Sequence, residues 1–294
     1  MTTAIPVAAA TTLRTRGRRA RIIRRLGRNP LALISITVLL IAVLVAVSAN
    51  WVAPDSASAT DLAHTFSPPG TAGHLLGTDD LGRDILSRIM FGVRASLEVA
   101  FLAVLTSLVI GVPLGLIAGY YRGADSVISR IADVLLSFPF LILAVGLAAI
   151  RGASLSNAAV AIGIAQIPGV LRLVRSDTLR LKSLDYVAAA LVDGASDRWV
   201  LLRHILPNAT SVILVQATVA LPAAILGEAV LSFLGLGIQP PQPSLGTMLS
   251  AAQEFAARAP WAAVFPGVAI MLLALAFNIF GDSLRDALDP KGSR

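Results

Sequence analysis

The chain has 294 residues, of which 56% are hydrophobic and 14% charged; with a mean hydropathy of +0.79 it falls outside the soluble class and reads as an all-α, polytopic membrane protein. A net charge of +7 raises nucleic acid as a partner, but the basic residues gather at the ends of apolar segments instead of lining one face, which argues against it. Cysteine is absent, so disulfide and thiol chemistry are excluded.

In chain order, a basic tail (1–30) precedes the first of six apolar stretches long enough to cross a bilayer as helix. They lie near Leu31–Ala49, Leu97–Tyr120, Ile131–Ile150, Leu155–Val174, Ala209–Leu231 and Trp261–Phe280. The first is too long, and the basic region before it too extended, for a cleaved signal peptide, so it reads as an anchor. Pro113, Pro139, Pro168 and Pro222 fall inside spans, where neighbouring helices or water satisfy the freed carbonyls. Gly111, Gly115 and Gly119, four apart, put a smooth ridge on one helical face for close packing.

Lysine and arginine set the orientation. With the N-terminus inside, eight arginines before Pro30, two in Arg122–Arg130, six basic residues in Arg172–Arg203 and three after Phe280 place 19 of the 24 on the cytoplasmic side. Both termini are then cytoplasmic. Arg83, Arg88 and Arg94 fall in an irregular outer loop (52–94), beside Asp79, Asp80 and Asp84. This loop is expected to pack over the outer mouth.

The longest inner loop (183–208) is too polar to span and too orderly for a slack connector. Ser183 is expected to cap a short helix carrying Val187, Ala190 and Leu191, Gly194 to turn the chain, and Ser196 or Asp197 to cap a second helix, Arg198 to Leu206, closed by Pro207. Two short helices meeting at a glycine make a rigid knob. Ala188, Ala189 and Ala190 would let another protein approach it closely; a helix lying on the membrane surface is the alternative.

Ala189, Ala190, Gly194, Leu206 and Pro207 stand at the spacing of the "EAA" loop, which the chain resembles, of permease subunits of bacterial ABC importers. Ala188 stands where that pattern commonly begins with Glu, and His204 where it has Ile. The blocks LGTDDLGRDILSR (76–88), GEAVLSFLGLGIQPPQPSLG (227–246) and FNIFGDSLRDALDP (277–290) are similar to signature segments of the dipeptide/oligopeptide/nickel importer permeases, and specifically to the C-type partner of a heterodimeric pair. The resemblance runs from about Pro30 to Pro290. Leu245 departs from it, since this branch often has Trp there, with an expected effect on packing of the outer loop.

The resemblance implies the type I importer permease fold over 31–290, with 291–294 as a short tail, in the cell membrane of a bacterium. It implies a second homologous permease, two ATPase subunits and an extracytoplasmic binding protein as partners. The knob residues Ala188, Ala189, Ala190, Gly194, Ala195, Leu206 and Pro207 would couple the ATPases to the spans. Short peptides are the implied cargo, with nickel chelates, haem or another small solute as alternatives. The two lysines, Lys182 and Lys291, are not preceded by glycine as a Walker A lysine must be, so ATP and Mg are expected on the partner subunits, with no cofactor on this chain.

Polar groups inside the apolar segments, Gln166, Gln216, Glu228 and Asn278, are pathway or gating candidates, because such groups face protein or water instead of lipid. Glu228 has a second reading, a structural bond to a neighbouring helix. Asp282, Arg285, Asp286 and Asp289 are expected to pair across the turns of the last helix. His64, His74 and His204 show no metal-ligand spacing, and no nucleophile elbow is present, so neither a metal site nor catalysis is expected. A secondary carrier is the rival transporter class, but inverted repeats are not apparent.

Overall fold

The computed structural model describes residues 24–288, and apart from two isolated bridges the regular structure among them is helical. The tail up to Ile23, Asp289 and the segment 291–294 lie outside the described residues. Among the described residues, five helices are long and apolar enough to cross a membrane, and a sixth crossing exists if one sharply bent pair counts as a span.

Helix α1 (Pro30–Val52) opens at Asn29, whose side chain accepts from the N–H groups of Leu31 and Ala32; Pro30 occupies the first turn, where no N–H is needed. Only small residues of α1, Ala32, Ser35, Ala46 and Ala49, are buried, while Leu33, Leu40, Leu44 and Val47 remain exposed as a lipid-facing surface.

Helix α2 (Ile85–Tyr120) begins twelve residues before the expected start at Leu97. The Asp84 carboxylate accepts from both the N–H and the hydroxyl of Ser87, each at 2.7 Å, and fixes that start. Its 36 residues extend about 54 Å at 1.5 Å per residue, well beyond the roughly 30 Å hydrocarbon layer. Arg88 and Arg94 therefore sit on a projecting helix end, not in a loop. Arg83 and Arg88 both reach Asp79, at 2.7 and 3.6 Å, and Arg94 reaches Glu98 at 2.9 Å.

The third expected span, Ile131–Ile150, is not one straight helix. Helices α3 (Arg122–Leu136) and α4 (Phe140–Arg151) meet at a 92° bend, because Pro139 disfavours helical backbone at the residue before it. Helix α5 (Leu155–Lys182) runs eight residues past the expected Val174.

Helices α2 and α5 are parallel: Gly111 faces Val170, Gly115 faces Val174 and Gly119 faces Thr178, the same offset each time. Parallel spans joined in sequence require the chain to return across the layer between them, and α3 with α4 is the segment available for it. Counting the bent pair as one span, the described residues make six crossings, the third of them bent. A Cβ on any of these glycines would lie 2.5–2.9 Å from the facing side chain. At Gly163, farther up α5, it would lie 2.8 Å from the Ala103 carbonyl oxygen. Small residues thus bring the two backbones together, as helix packing in lipid requires.

A short helix α6 (Asp185–Val192) and helix α7 (Asp197–Val200) follow; a π turn (Leu201–Ile205) then leads without a break into α8 (Leu206–Phe233). Pro207 does not close a helix, contrary to expectation. It lies in the first turn of α8, where the wider π turn, with Leu206 N–H bonded to the Leu201 carbonyl, makes room for its ring. The Asn208 amide donates to the His204 carbonyl at 2.6 Å. Helix α9 (Leu245–Ala252), opened by a Ser244–Thr247 capping box, and helix α10 (Trp261–Leu288) complete the described residues.

The 53–84 segment is a wrapped loop with one 3₁₀ turn at Leu62–His64. The Trp261 indole N–H donates to the Thr78 carbonyl at 3.2 Å, and Phe66 and Leu76 pack against Met248, Ala252 and Ala262. It therefore sits on α9 and the start of α10. The main core is built from alanine and β-branched residues, among them Val99, Ala103, Ala161, Ile162, Ala224 and Ile225. No ion pair joins Asp282, Arg285 and Asp286 among the described residues, so the pairing expected along the last helix does not form there.

Candidate functional site

The knob is folded as two arms about Gly194. Gly194 has φ of +82° and stands one residue beyond the Asp193 C-cap of α6. Its N–H bonds the Leu191 carbonyl at 3.1 Å and that of Ala195 bonds the Ala190 carbonyl at 3.0 Å. This is a Schellman turn, which needs a residue in the left-handed region and satisfies carbonyls at the end of α6.

The expected caps are corrected in detail. Ser183 donates to the Arg180 carbonyl and so finishes α5; the N-cap of α6 is Leu184, with no side-chain cap. Ser196 is the N-cap of α7 but makes no capping bond, and Asp197 accepts from the Tyr120 hydroxyl at 2.8 Å.

One side of the knob is anchored. Val187, Val200, Leu201 and Ile205 are buried against Leu116 and Tyr120 of α2 and against Val174 and Leu181 of α5. That burial places the knob on the ends of two spans, not flat on a lipid surface by both arms.

The other side is open. Ala188, Ala189 and Gly194 are exposed, Ala190, Ala195 and Leu206 half-buried, and Pro207 exposed; Val192 is 88% exposed at the tip. Between the arms lies a groove of about 710 Å³ walled by Tyr186, Ala189, Ala190, Asp193, Trp199 and His204. The His204 ring stands edge-on to Trp199, with centroids 4.6 Å apart, and 6.0 Å from Tyr186. His204 is thus part of the groove wall.

The four polar candidates do not converge. Glu228 is fully buried and joins α2 to α8: Ser96 donates to it at 2.6 Å and Ser232 at 2.7 Å. The Ser232 hydroxyl also accepts from the Ile238 N–H at 3.1 Å. Gly237 and Gly246 pack so closely here that a Cβ would lie 2.2 Å from the Ser232 hydroxyl and the Ala229 carbonyl respectively, and Leu245 is buried beside Gly92. The block 227–246 is therefore a knot around a carboxyl group, which has no opening to a pathway in this conformation. Gln166 donates to the Ala220 carbonyl across α5 and α8 at 3.2 Å. Gln216 is half-buried on α8, about 18 Å along the helix from Glu228 at 1.5 Å per residue. Asn278 is exposed and donates to the Ala274 carbonyl of its own helix.

Glu228→Leu is expected to strand the two serine hydroxyls, each at about 1–3 kcal/mol, and to lower the thermal unfolding midpoint of the detergent-solubilised protein. Glu228→Gln, which can still bond both serines, should recover most of that loss. A Gln variant as damaged as the Leu variant would contradict the knot.

Some polar groups carried no warning in the sequence. The Asp125 carboxylate takes two hydrogen bonds from Arg175 and one from Ser129, and Asp133 takes one from Arg172. These clamp amphipathic α3 to α5. Lys182 donates to the Tyr120 carbonyl at 2.6 Å and stands 4.5 Å above the Tyr120 ring. Apart from the local Ser129 bond, these partners lie 39 to 62 residues apart and leave no local pattern to read.

Parallel glycine-seamed spans, a bent crossing and an anchored knob between the fourth and fifth spans define a multi-pass membrane protein with the type I importer permease fold. A chain of the methionine ABC transporter MetNI, solved in inward-facing form, superposes with a TM-score of 0.58 at 21% identity, over 70% of this chain and 97% of that one. That likeness shows the fold.

The family follows from sequence. The chain belongs to the binding-protein-dependent transport system inner membrane components, whose profile matches residues 111–294, and residues 18–69 match the N-terminal transmembrane domain of oligopeptide transport permease C. It is 45% identical to a dipeptide transport system permease of Alkalihalophilus pseudofirmus, over 91% of this chain and 88% of that one. It is 46% identical to a glutathione transport system permease of Pectobacterium atrosepticum, over 91% and 89%. The chain is thus a transport subunit, not an enzyme, and works with ATPase and substrate-binding partners.

Proposed function

We propose that this permease carries short peptides into the cell as one half of a heterodimeric pathway, with its termini and its knob in the cytoplasm. The observation that carries the cargo is the agreement of similar chains named for dipeptides, peptides and glutathione, itself a tripeptide, at 42–46% identity over about nine-tenths of this chain. Orientation is supported by the 19 basic residues assigned to the knob side, and by the pairing of Arg83, Arg88 and Arg94 with acids at the opposite end.

Each ATPase subunit holds ATP and Mg and receives one knob, with the small Ala188–Ala190 face and the groove beside Trp199 as the seat. The wrapped loop on α9 and α10 is where the binding protein docks. Closure of the ATPases pushes the knob, and the buried Val187–Val200–Ile205 face passes the push to α2 and α5.

Two measurements test this. The chain, co-expressed with its partner subunits, should retain the ATPases on purification, and Ala189→Trp should lose them while remaining folded in the membrane. Proteoliposomes holding the full complex and binding protein should take up a labelled dipeptide only with ATP. ATP-driven uptake of nickel or haem without dipeptide uptake would overturn the cargo; ATPase retention by Ala189→Trp would overturn the seat.

A further inference from the structure

The apolar packing that anchors the knob has no preferred direction along its surface, so it resists separation better than sliding. Near the root of the second arm, however, two residues add directional bonds. The Tyr120 hydroxyl, on the last residue of α2, donates to the Asp197 carboxylate on the first residue of α7 at 2.8 Å. The Lys182 ammonium, on the last residue of α5, donates to the Tyr120 carbonyl at 2.6 Å and lies over its ring at 4.5 Å. Tyr120 itself is 5% exposed and belongs to the apolar cluster beneath the knob.

Each bond has a physical reason to hold. A hydroxyl donating to a carboxylate is stronger than a neutral pair. A lysine at the C-terminal carbonyl of a helix is favoured by the helix dipole and by the unsatisfied acceptor there. The stacked cation keeps the ring from swinging. Three chain segments, the ends of α2 and α5 and the start of α7, therefore meet on one side chain.

From this we infer that Tyr120 is a positioning residue for energy coupling: its hydroxyl latches the second arm of the knob to α2, and Lys182 holds that latch to α5, so that a displacement of the knob moves both parallel spans together. The inference rests on the proposed coupling role of the knob and deepens it. Without the latch, the knob slips against α2 under load.

The absence of native cysteine allows paired spin labels. In the complete transporter, one pair joins Leu40→Cys on α1 to Val192→Cys at the knob tip; the other joins Leu40→Cys to Ile117→Cys on α2. Both distances should change between the nucleotide-free and the ATP–vanadate-trapped states. With Tyr120→Phe, which keeps the buried ring, the knob distance should still change while the α2 change falls by at least half. ATP hydrolysis should persist, and Asp197→Ala, which removes the acceptor, should act alike, with the double variant no worse than either single one.

An unchanged α2 response in Tyr120→Phe, with the ATPases bound, overturns the latch and leaves knob coupling intact. Loss of ATPase binding in Tyr120→Phe also overturns it, since the bond would then shape the seat instead of transmitting motion. A knob distance that does not change in the unsubstituted protein defeats the coupling reading itself.

Discussion

Gly194→Val is expected to reduce ATP-dependent dipeptide uptake more than tenfold in proteoliposomes while the spans stay folded and ATP hydrolysis continues. At φ of +82° a β-branched residue is held in backbone space it rarely adopts, at a cost of order 1–3 kcal/mol. A Cβ at this position would meet nothing within 4 Å, so the cost is one of backbone conformation and not of crowding. Relief comes by opening the Schellman turn and changing the angle between the arms, since the anchored faces of Val187 and Val200 resist movement. Gly194→Asn separates the two effects: it is larger than alanine, but asparagine enters the left-handed region more readily. Uptake should therefore rank glycine, then asparagine, then alanine, then valine. A ranking by side-chain volume would mean that the seat, not the turn, is what the glycine protects.

The same turn shows what the sequence could reveal. Gly194 between two amphipathic runs, each within a dozen residues, is local information, and so is the four-residue spacing of Gly111, Gly115 and Gly119. Crossings built from continuous apolar runs were legible for the same reason. The start of α2 was hidden because Arg88 and Arg94 make its first turns look like loop; their neutralisation by Asp79 and Glu98 becomes visible only once the chain is folded. The bend at Pro139 was hidden because the apolar run continues through it, and hydropathy does not register direction. Pro207 misled in the opposite sense, since a π turn before it allowed the helix to continue.

Among the candidate site residues, the knob's exposed alanines were legible from their size and spacing, but its fastening was not. Tyr120 reads as an ordinary aromatic residue at a span end, and Asp197 as a cap. Their bond links positions 77 residues apart. Glu228 stood out because a carboxyl group in an apolar run is costly, and that cost says only that it must have partners. Ser96, 132 residues away, is one of them, and nothing in either segment announces the other.

The strongest test of the fold itself lies in the glycine seam. Gly115→Leu is expected to prevent accumulation of folded protein in the membrane. A Cβ there would stand 2.7 Å from the Val174 Cβ and 2.8 Å from the Leu171 carbonyl oxygen, both on α5, with the rest of the leucine still to be housed. Overpacking of well-filled interiors costs about 1–3 kcal/mol and occasionally more, and here neither helix can retreat easily, because Gly111 and Gly119 hold the same close approach one turn away on each side. Gly146→Ala on α4, where a Cβ would meet nothing within 4 Å, should accumulate normally. Gly115→Ala supplies the intermediate case, with the thermal midpoint in detergent as the measurement. Adding Val174→Gly to it should recover part of the lost stability, since it removes the clashing side chain. Full recovery is not expected, because the Leu171 carbonyl is backbone and remains. If Gly115→Leu accumulates like the unsubstituted protein, α2 and α5 are not in close contact there, and the parallel pairing from which the six crossings were counted fails with it.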